Sequence, residues 1–225
     1  MKIKGNKIIE GKELQSGQLY RVETCRTIIF DEKETNDVVN INFCLQGNQY
    51  GIYGNEYKPP FVDDNGGKKA DILILVIDDN DKCFSSWIFD VKKTVGGEDV
   101  ICHLVEQLIE SVKHKSAIAT YLEGYKEEQH IGYITRDLQR DRIQETISKK
   151  SSYLEKEKAN IKCMPLLIGT EARLKLLKED AKLKTIIAFQ NDYIEIGKTA
   201  HKIEHYFLIE QADNKFVCNL DVACS

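Results

Sequence analysis

Short runs of alternating apolar and polar residues occupy the first quarter of the chain. Leu19–Val22, 27–30, 38–41 and 50–53 are β-type runs separated by turn residues, which predicts an N-terminal antiparallel sheet. Pro59, Pro60 and the stretch Asp63, Asp64, Asn65, Gly66, Gly67 then break regular structure. Beyond that loop the pattern changes. Residues 72–77 are continuously apolar, as in a strand covered on both faces. After the polar turn Asp78, Asp79, Asn80, Asp81, a second apolar strand runs through Trp87, Ile88 and Phe89 into Asp90, Val91, Lys92 and Lys93, so the two strands are predicted to form a hairpin. Gly96 and Gly97 permit a sharp turn into a helix. Val100, Leu104, Leu108 and Val112 make one i,i+4 stripe on it, and Ile101, Val105 and Ile109 make another beside it.

Residues 131–134 read as the next strand, and the charged stretch from Arg136 to Lys158 reads as helix interrupted at Ser151 and Ser152. A strand is predicted at 161–168, a short helix at 171–178 capped by Thr170, and further strands at 185–189, 205–209 and 216–220. Helices mixed with runs of adjacent strands predict an α/β or α+β fold, a three-layer α/β/α core around a mixed sheet. One domain is expected over 1–225, with a β-rich extension at 1–65, a core at 66–136 and the C-terminal part of that core at 137–225. The chain shows no internal repeat, coiled-coil heptad, phosphate-binding loop or dinucleotide fingerprint.

The charged residues of the hairpin carry the candidate chemistry. Asp90 and Lys92 are two apart on a strand, so both leave the same face, and the hairpin brings Asp71 beside them. Two carboxylates and one ammonium are the minimum set for holding Mg²⁺ against a phosphate. The plainer reading is a solvated i,i+2 ion pair of little energetic weight, with Asp71 merely starting its strand. On the helix, His103 and Gln107 share a face; they either point back at the carboxylates or lie on a polar flank.

These residues resemble the PD-(D/E)XK, or restriction-endonuclease-like, nuclease superfamily: an Asp beginning one core strand (Asp71), Asp-x-Lys on the next (Asp90, Val91, Lys92), then a helix bearing a Gln (Gln107). Ala70 stands in place of the family's Pro, and Ser111 stands where a subgroup with Gln-x-x-x-Tyr carries its Tyr. The likeness spans roughly residues 66–115. It implies the family's fold and a Mg²⁺-dependent endodeoxyribonuclease, a phosphodiester hydrolase in which Mn²⁺ can substitute. Asp71 and Asp90 would hold the metal with the Val91 carbonyl, and Lys92 would join them in catalysis. Gln107 and Lys93 would support the site. Glu56 is the first choice for an upstream acid, ahead of Glu23, Glu32 and Glu34. The resemblance further implies DNA as partner in preference to RNA, a homodimer or higher homo-oligomer and a role in prokaryotic defence against foreign DNA, while the added β-rich N-terminal and C-terminal segments could recognise sequence, bind a regulatory protein or ligand, or build that oligomer. A junction-resolving or repair nuclease is the alternative within the class, and a catalytically silent interaction subunit is the alternative outside it.

Composition narrows this picture without redirecting it. A chain of 225 residues can bury a real core, and 42% hydrophobic with 30% charged residues is ordinary for a globular protein. No apolar run approaches the ~20 residues of a membrane span, and residues 1–6 lack the apolar core of a signal peptide. The seven cysteines are odd in number and lack Cys-x-x-Cys spacing, so they read as reduced thiols of a cytoplasmic protein, with neither zinc site nor disulfide framework. Cys44 and Cys218 are expected in the core. A formal charge of −4 excludes a protein that coats DNA through a broad basic surface, but not one with a local basic groove. Lys68, Lys69, Lys92 and Lys93 are the first candidates for that groove, followed by Lys113, His114 and Lys115. Lys149 and Lys150 read as a solvated helix face.

Overall fold

Four strands form where the N-terminal alternation placed them: β1 (Leu19–Val22), β2 (Arg26–Glu32), β3 (Asp37–Phe43) and β4 (Gln49–Asn55). They do not make one sheet. The computed structural model, which describes residues 18–32, 37–57, 69–163, 169–212 and 214–224, continues with β5 (Ile72–Asp78), β6 (Cys83–Val95), helix α1 (Glu98–Ala119) and β7 (Lys126–Leu138). Helices α2 (Arg140–Cys163) and α3 (Thr170–Gln190) follow, then β8 (Tyr193–Ile196), β9 (Thr199–Lys202), β10 (Glu204–Phe207), β11 (Ile209–Glu210) and β12 (Phe216–Val222). The fold is thus mixed α/β. The chain divides into two compact units, one of residues 1–93, 106–136 and 204–225, the other of 94–105 and 137–203.

The first unit carries a six-stranded mixed sheet, β1-β4-β5-β6-β7-β10, and a four-stranded sheet, β11-β12-β3-β2. The N-terminal strands split because β3 pairs in parallel with β12, a partner far along the chain that no local pattern announces. β4, β5 and β6 form an antiparallel meander. Lys126 N donates to Lys82 O at 2.8 Å and Thr135 Oγ1 donates to Lys93 O at 3.3 Å, contacts that advance in the same sense along both strands, so β6 and β7 are parallel. A parallel pair needs a crossover, and α1 supplies it.

β5 is buried along its whole length, for the reason its unbroken apolar run suggested. Ile72, Ile74 and Val76 of β5 join Trp87, Phe89 and Val91 of β6 in a core shared with Val39, Ile41, Phe43, Leu220 and Val222 of the four-stranded sheet. The opposite parity, Leu73, Leu75, Ile77 and Ile88, is buried on the other face, where α1 reaches the chain just before β5. Each such side chain contributes about 1.5–3 kcal/mol on burial.

Gly132 lies opposite Glu204 in the parallel β7–β10 pair, and a Cβ there would stand 2.2 Å from the Glu204 carbonyl oxygen. Backbone cannot yield as a side chain tip does. Gly132→Ala is therefore expected to cost about 2 kcal/mol or more, read as a lower midpoint in urea unfolding.

The second unit departs most from the sequence reading. α2 runs without interruption through Ser151 and Ser152, because Ile143, Lys150 and Leu154 bury one helical face on both sides of them. Residues 161–163 complete that helix instead of starting a strand, and 164–168 fall outside the described residues. Residues 185–189 are also helical: α3 extends to Gln190, burying Ile186 and Phe189 three residues apart. Gly169, not Thr170, is the N-cap, and no side chain caps it. Lys150 is not solvated but buried between Glu98 and Glu179, with Lys182 alongside, while Lys149 stays exposed beside Glu145. The β8–β9 hairpin, turned at Gly197 with φ 65°, was not foreseen. In the first unit, Cys218 is buried as expected but Cys44 is exposed. No described helix is long and apolar enough to cross a membrane.

Candidate active site

The β5–β6 register decides where the charged residues go. Ile72 lies opposite Phe89, so one step further along Asp71 faces Asp90 across the end of the ladder. By period 2, Asp71 takes the side of Leu73 and Leu75, and Asp90 and Lys92 take the side of Ile88. All three functional groups therefore share the face that α1 covers.

Asp71 Oδ2 accepts the backbone N–H of Val91 at 2.7 Å, two residues past the last β5–β6 pair. In a ladder the N–H and C=O of one residue leave the same edge, which directs the Val91 carbonyl to the Asp71 side, while its side chain joins the core between the sheets. Asp90 is fully buried and forms an ion pair with Lys92, whose side chain is 22% exposed. Apart from Lys92 and the neighbouring Asp71 carboxyl, neither Asp90 oxygen has a hydrogen-bond partner. The Asp71 and Asp90 carboxyl groups are close enough to share a proton. Burial, then the neighbouring Asp71, push Asp90 up to about 8 against the opposing pull of Lys92. Asp71 is raised as well, burial outweighing its Val91 hydrogen bond and the Lys92 charge.

The helix fixes the segment leading into Asp71. Gln107 Nε2 donates to Lys69 O at 2.8 Å, and Ser111 Oγ accepts the Ala70 N–H at 2.7 Å. Ser111 is thus an anchor for the backbone one residue before Asp71, a role with no signature in residue identity. Ser111→Ala leaves a buried N–H without its acceptor, at an expected cost of about 1–3 kcal/mol. Thermal unfolding checks this as a fall of roughly 2–10 °C.

The other sequence candidates are distributed as follows. Glu56 lies beside Asp71: its N–H donates to the Asp71 carbonyl at 3.1 Å, and its charge contributes to raising Asp71. Glu23 is exposed and paired with Arg21, while the Glu32 side chain and Glu34 fall outside the described residues. Lys93 is exposed and has the parity opposite to Lys92, so it leaves the other face of β6. His103 is exposed where Gln107 is buried. Lys115 is no surface cation; it is buried against Glu127, which also accepts from Ser86 Oγ, and Lys113 pairs with Glu110. Lys68 is outside the described residues.

One buried group near Asp71, on the opposite face of the sheet, has no signature in the sequence. Tyr53 of β4 is fully buried, and its hydroxyl has no hydrogen-bond partner. It feels the Asp71 charge, which adds to burial in raising its phenol above the ordinary range. Read along the chain, Tyr53 is only one more apolar strand position.

Among the described residues no group of three or more His, Cys, Asp or Glu is gathered as a metal site. The pair Asp71 and Asp90 nevertheless fits a hard divalent cation, which binds through one or two carboxylates and fills its shell with water and phosphate oxygens. The observation in favour is the buried Asp90 carboxylate whose oxygens lack donors. Comparison of the chain with protein-family models, curated proteins and solved structures finds no match.

Proposed function

We propose that this chain is a metal-dependent endonuclease hydrolysing phosphodiester bonds in DNA. Its core would be restriction-endonuclease-like: the β4–β5–β6 meander, α1 and the parallel β7, with a second sheet added on the face away from α1. One observation carries the proposal: a fully buried carboxylate on β6 and a half-buried one at the start of β5 converge, the first short of donors, with a lysine alongside. A purely structural role gives no return for that arrangement, since burying carboxylates together is unfavourable.

Asp71, Asp90 and the Val91 carbonyl would hold Mg²⁺ or Mn²⁺. When bound, the cation supplies charge neutralisation at the phosphate and a water of lowered pKa. Asp71 is held in register by the Val91 amide, and α1 holds the chain before it through Gln107 and Ser111. Lys92, partly exposed next to Asp90, would stabilise the negative charge that develops on the phosphate. Preference for DNA, assembly as a homodimer and a defence role follow from the family resemblance and belong to the same proposal.

The test is incubation of the purified protein with supercoiled plasmid and either Mg²⁺ or Mn²⁺, with a chelated control. Nicked or linear product that disappears with the chelator is the expected result. Plasmid left supercoiled under both metals overturns the proposal. Four-way junctions cut in preference to plain duplex would select the junction-resolving form of it.

A further inference from the structure

Cys83 is the first residue of β6, opposite Asp78 across the hairpin, and Cys224 lies just past the end of β12. They are 141 residues apart in sequence, yet their Sγ atoms stand 3.2 Å from one another. β6 belongs to the six-stranded sheet and β12 to the four-stranded sheet, so the two thiols meet across the packed pair of sheets. Both are partly exposed, within reach of small molecules in solution. A disulfide of about 2.05 Å asks for a closing movement of only about 1 Å. Cys224 lies beyond the β12 ladder and can make that movement without breaking a ladder hydrogen bond.

We propose that Cys83 and Cys224 form a redox-modification site, a dithiol that a low-molecular-weight disulfide of the glutathione type converts into an intramolecular disulfide. One cysteine thiolate attacks the reagent's S–S bond, forming a mixed disulfide and releasing one glutathione thiolate. The second cysteine, deprotonated to solvent, attacks the protein sulfur of that mixed disulfide and releases the other glutathione thiolate. The two cysteine sulfurs are oxidised, the reagent is reduced to two thiols, and an excess of thiol drives the exchange backward. Burial pushes Cys224 up to about 11, helped by its hydrogen bond with Cys83, so closure accelerates as pH rises above neutrality. The pair sits at the turn end of β6, away from Asp90 and Lys92, so the bond clamps the two sheets together and leaves the carboxylate site as it is.

Exposed Cys25 and Cys44 serve as an internal comparison, because each thiol donates to a backbone carbonyl, of Leu45 and of Asn42. The folded protein is treated with glutathione disulfide at pH 8.5, trapped by alkylation and mapped by peptide mass spectrometry, beside Cys224→Ser. The expected product is a Cys83–Cys224 linked peptide lighter by two hydrogens, absent from Cys224→Ser. Its formation should raise the unfolding temperature by roughly 5–10 °C, reversed by dithiothreitol. Stable glutathione adducts on Cys83 and Cys224 without a linked peptide would overturn the proposal. So would modification confined to Cys25 and Cys44.

Discussion

Asp90→Asn should lower metal-dependent plasmid cleavage by about 10³-fold or more while leaving the fold intact. Asn keeps the shape of the side chain and removes the charge, in a position fully shielded from water. Lys92→Ala should fall by a similar factor, whereas Lys93→Ala should stay within about threefold of the parent, because adjacent strand residues leave opposite faces. The contrast between the two lysines is the informative part. A general loss of positive charge beside DNA would weaken both variants alike and would show as a change in salt dependence. Equal losses at Lys92 and Lys93, or an Asp90→Asn protein that cuts as fast as its parent, would count against the assigned site.

The second large effect is on stability, and its sign follows from the raised carboxyls. The folded chain holds Asp90 protonated up to about 8, while an unfolded Asp loses its proton near ~4. A group raised on folding contributes stability that is fully present below the unfolded value and is lost as pH rises through the folded one. Metal-free protein should therefore become less stable between about pH 4 and pH 8, with Asp71 acting in the same direction. Asp90→Asn cannot lose that proton. It should match the parent near pH 4 and exceed it at pH 8, by roughly 5 °C or more in unfolding temperature. Divalent cation competes for the same carboxylates, so added Mn²⁺ should raise the melting temperature of the parent more at pH 8 than at pH 6. The variant should respond to it at neither pH. Parallel melting curves for the two proteins across this range would show that the carboxyls are not strained by burial at all.

The convergence of Asp71, Asp90 and Lys92 was legible in the chain because it is local. A polar turn sets the hairpin, and period 2 then fixes which side chains share a face. The partners of the helix were harder to see. Gln107 and Ser111 contact backbone atoms of Lys69 and Ala70, and a backbone partner leaves no trace in residue identity. Residues 185–189 differ for another reason: Thr185 followed by four apolar residues fits a buried strand or one face of a helix equally well, and the packing of Ile186 and Phe189 decides for the helix. Lys115 and Lys150 read as solvent-facing cations in the sequence, since charge alone does not tell that Glu127, or Glu98 and Glu179, lie opposite in the fold.

By itself, the sequence determined the hairpin, the helix that follows it and the shared side of Asp90 and Lys92 on their strand, all consequences of short-range geometry. Only the tertiary structure decided that β3 joins β12 in a separate sheet, that Asp90 is sealed from water and that Cys83 meets Cys224. Each of these depends on residues far apart in the chain, whose encounter is set by how whole faces bury their apolar surface and not by any pattern within reach of a single turn.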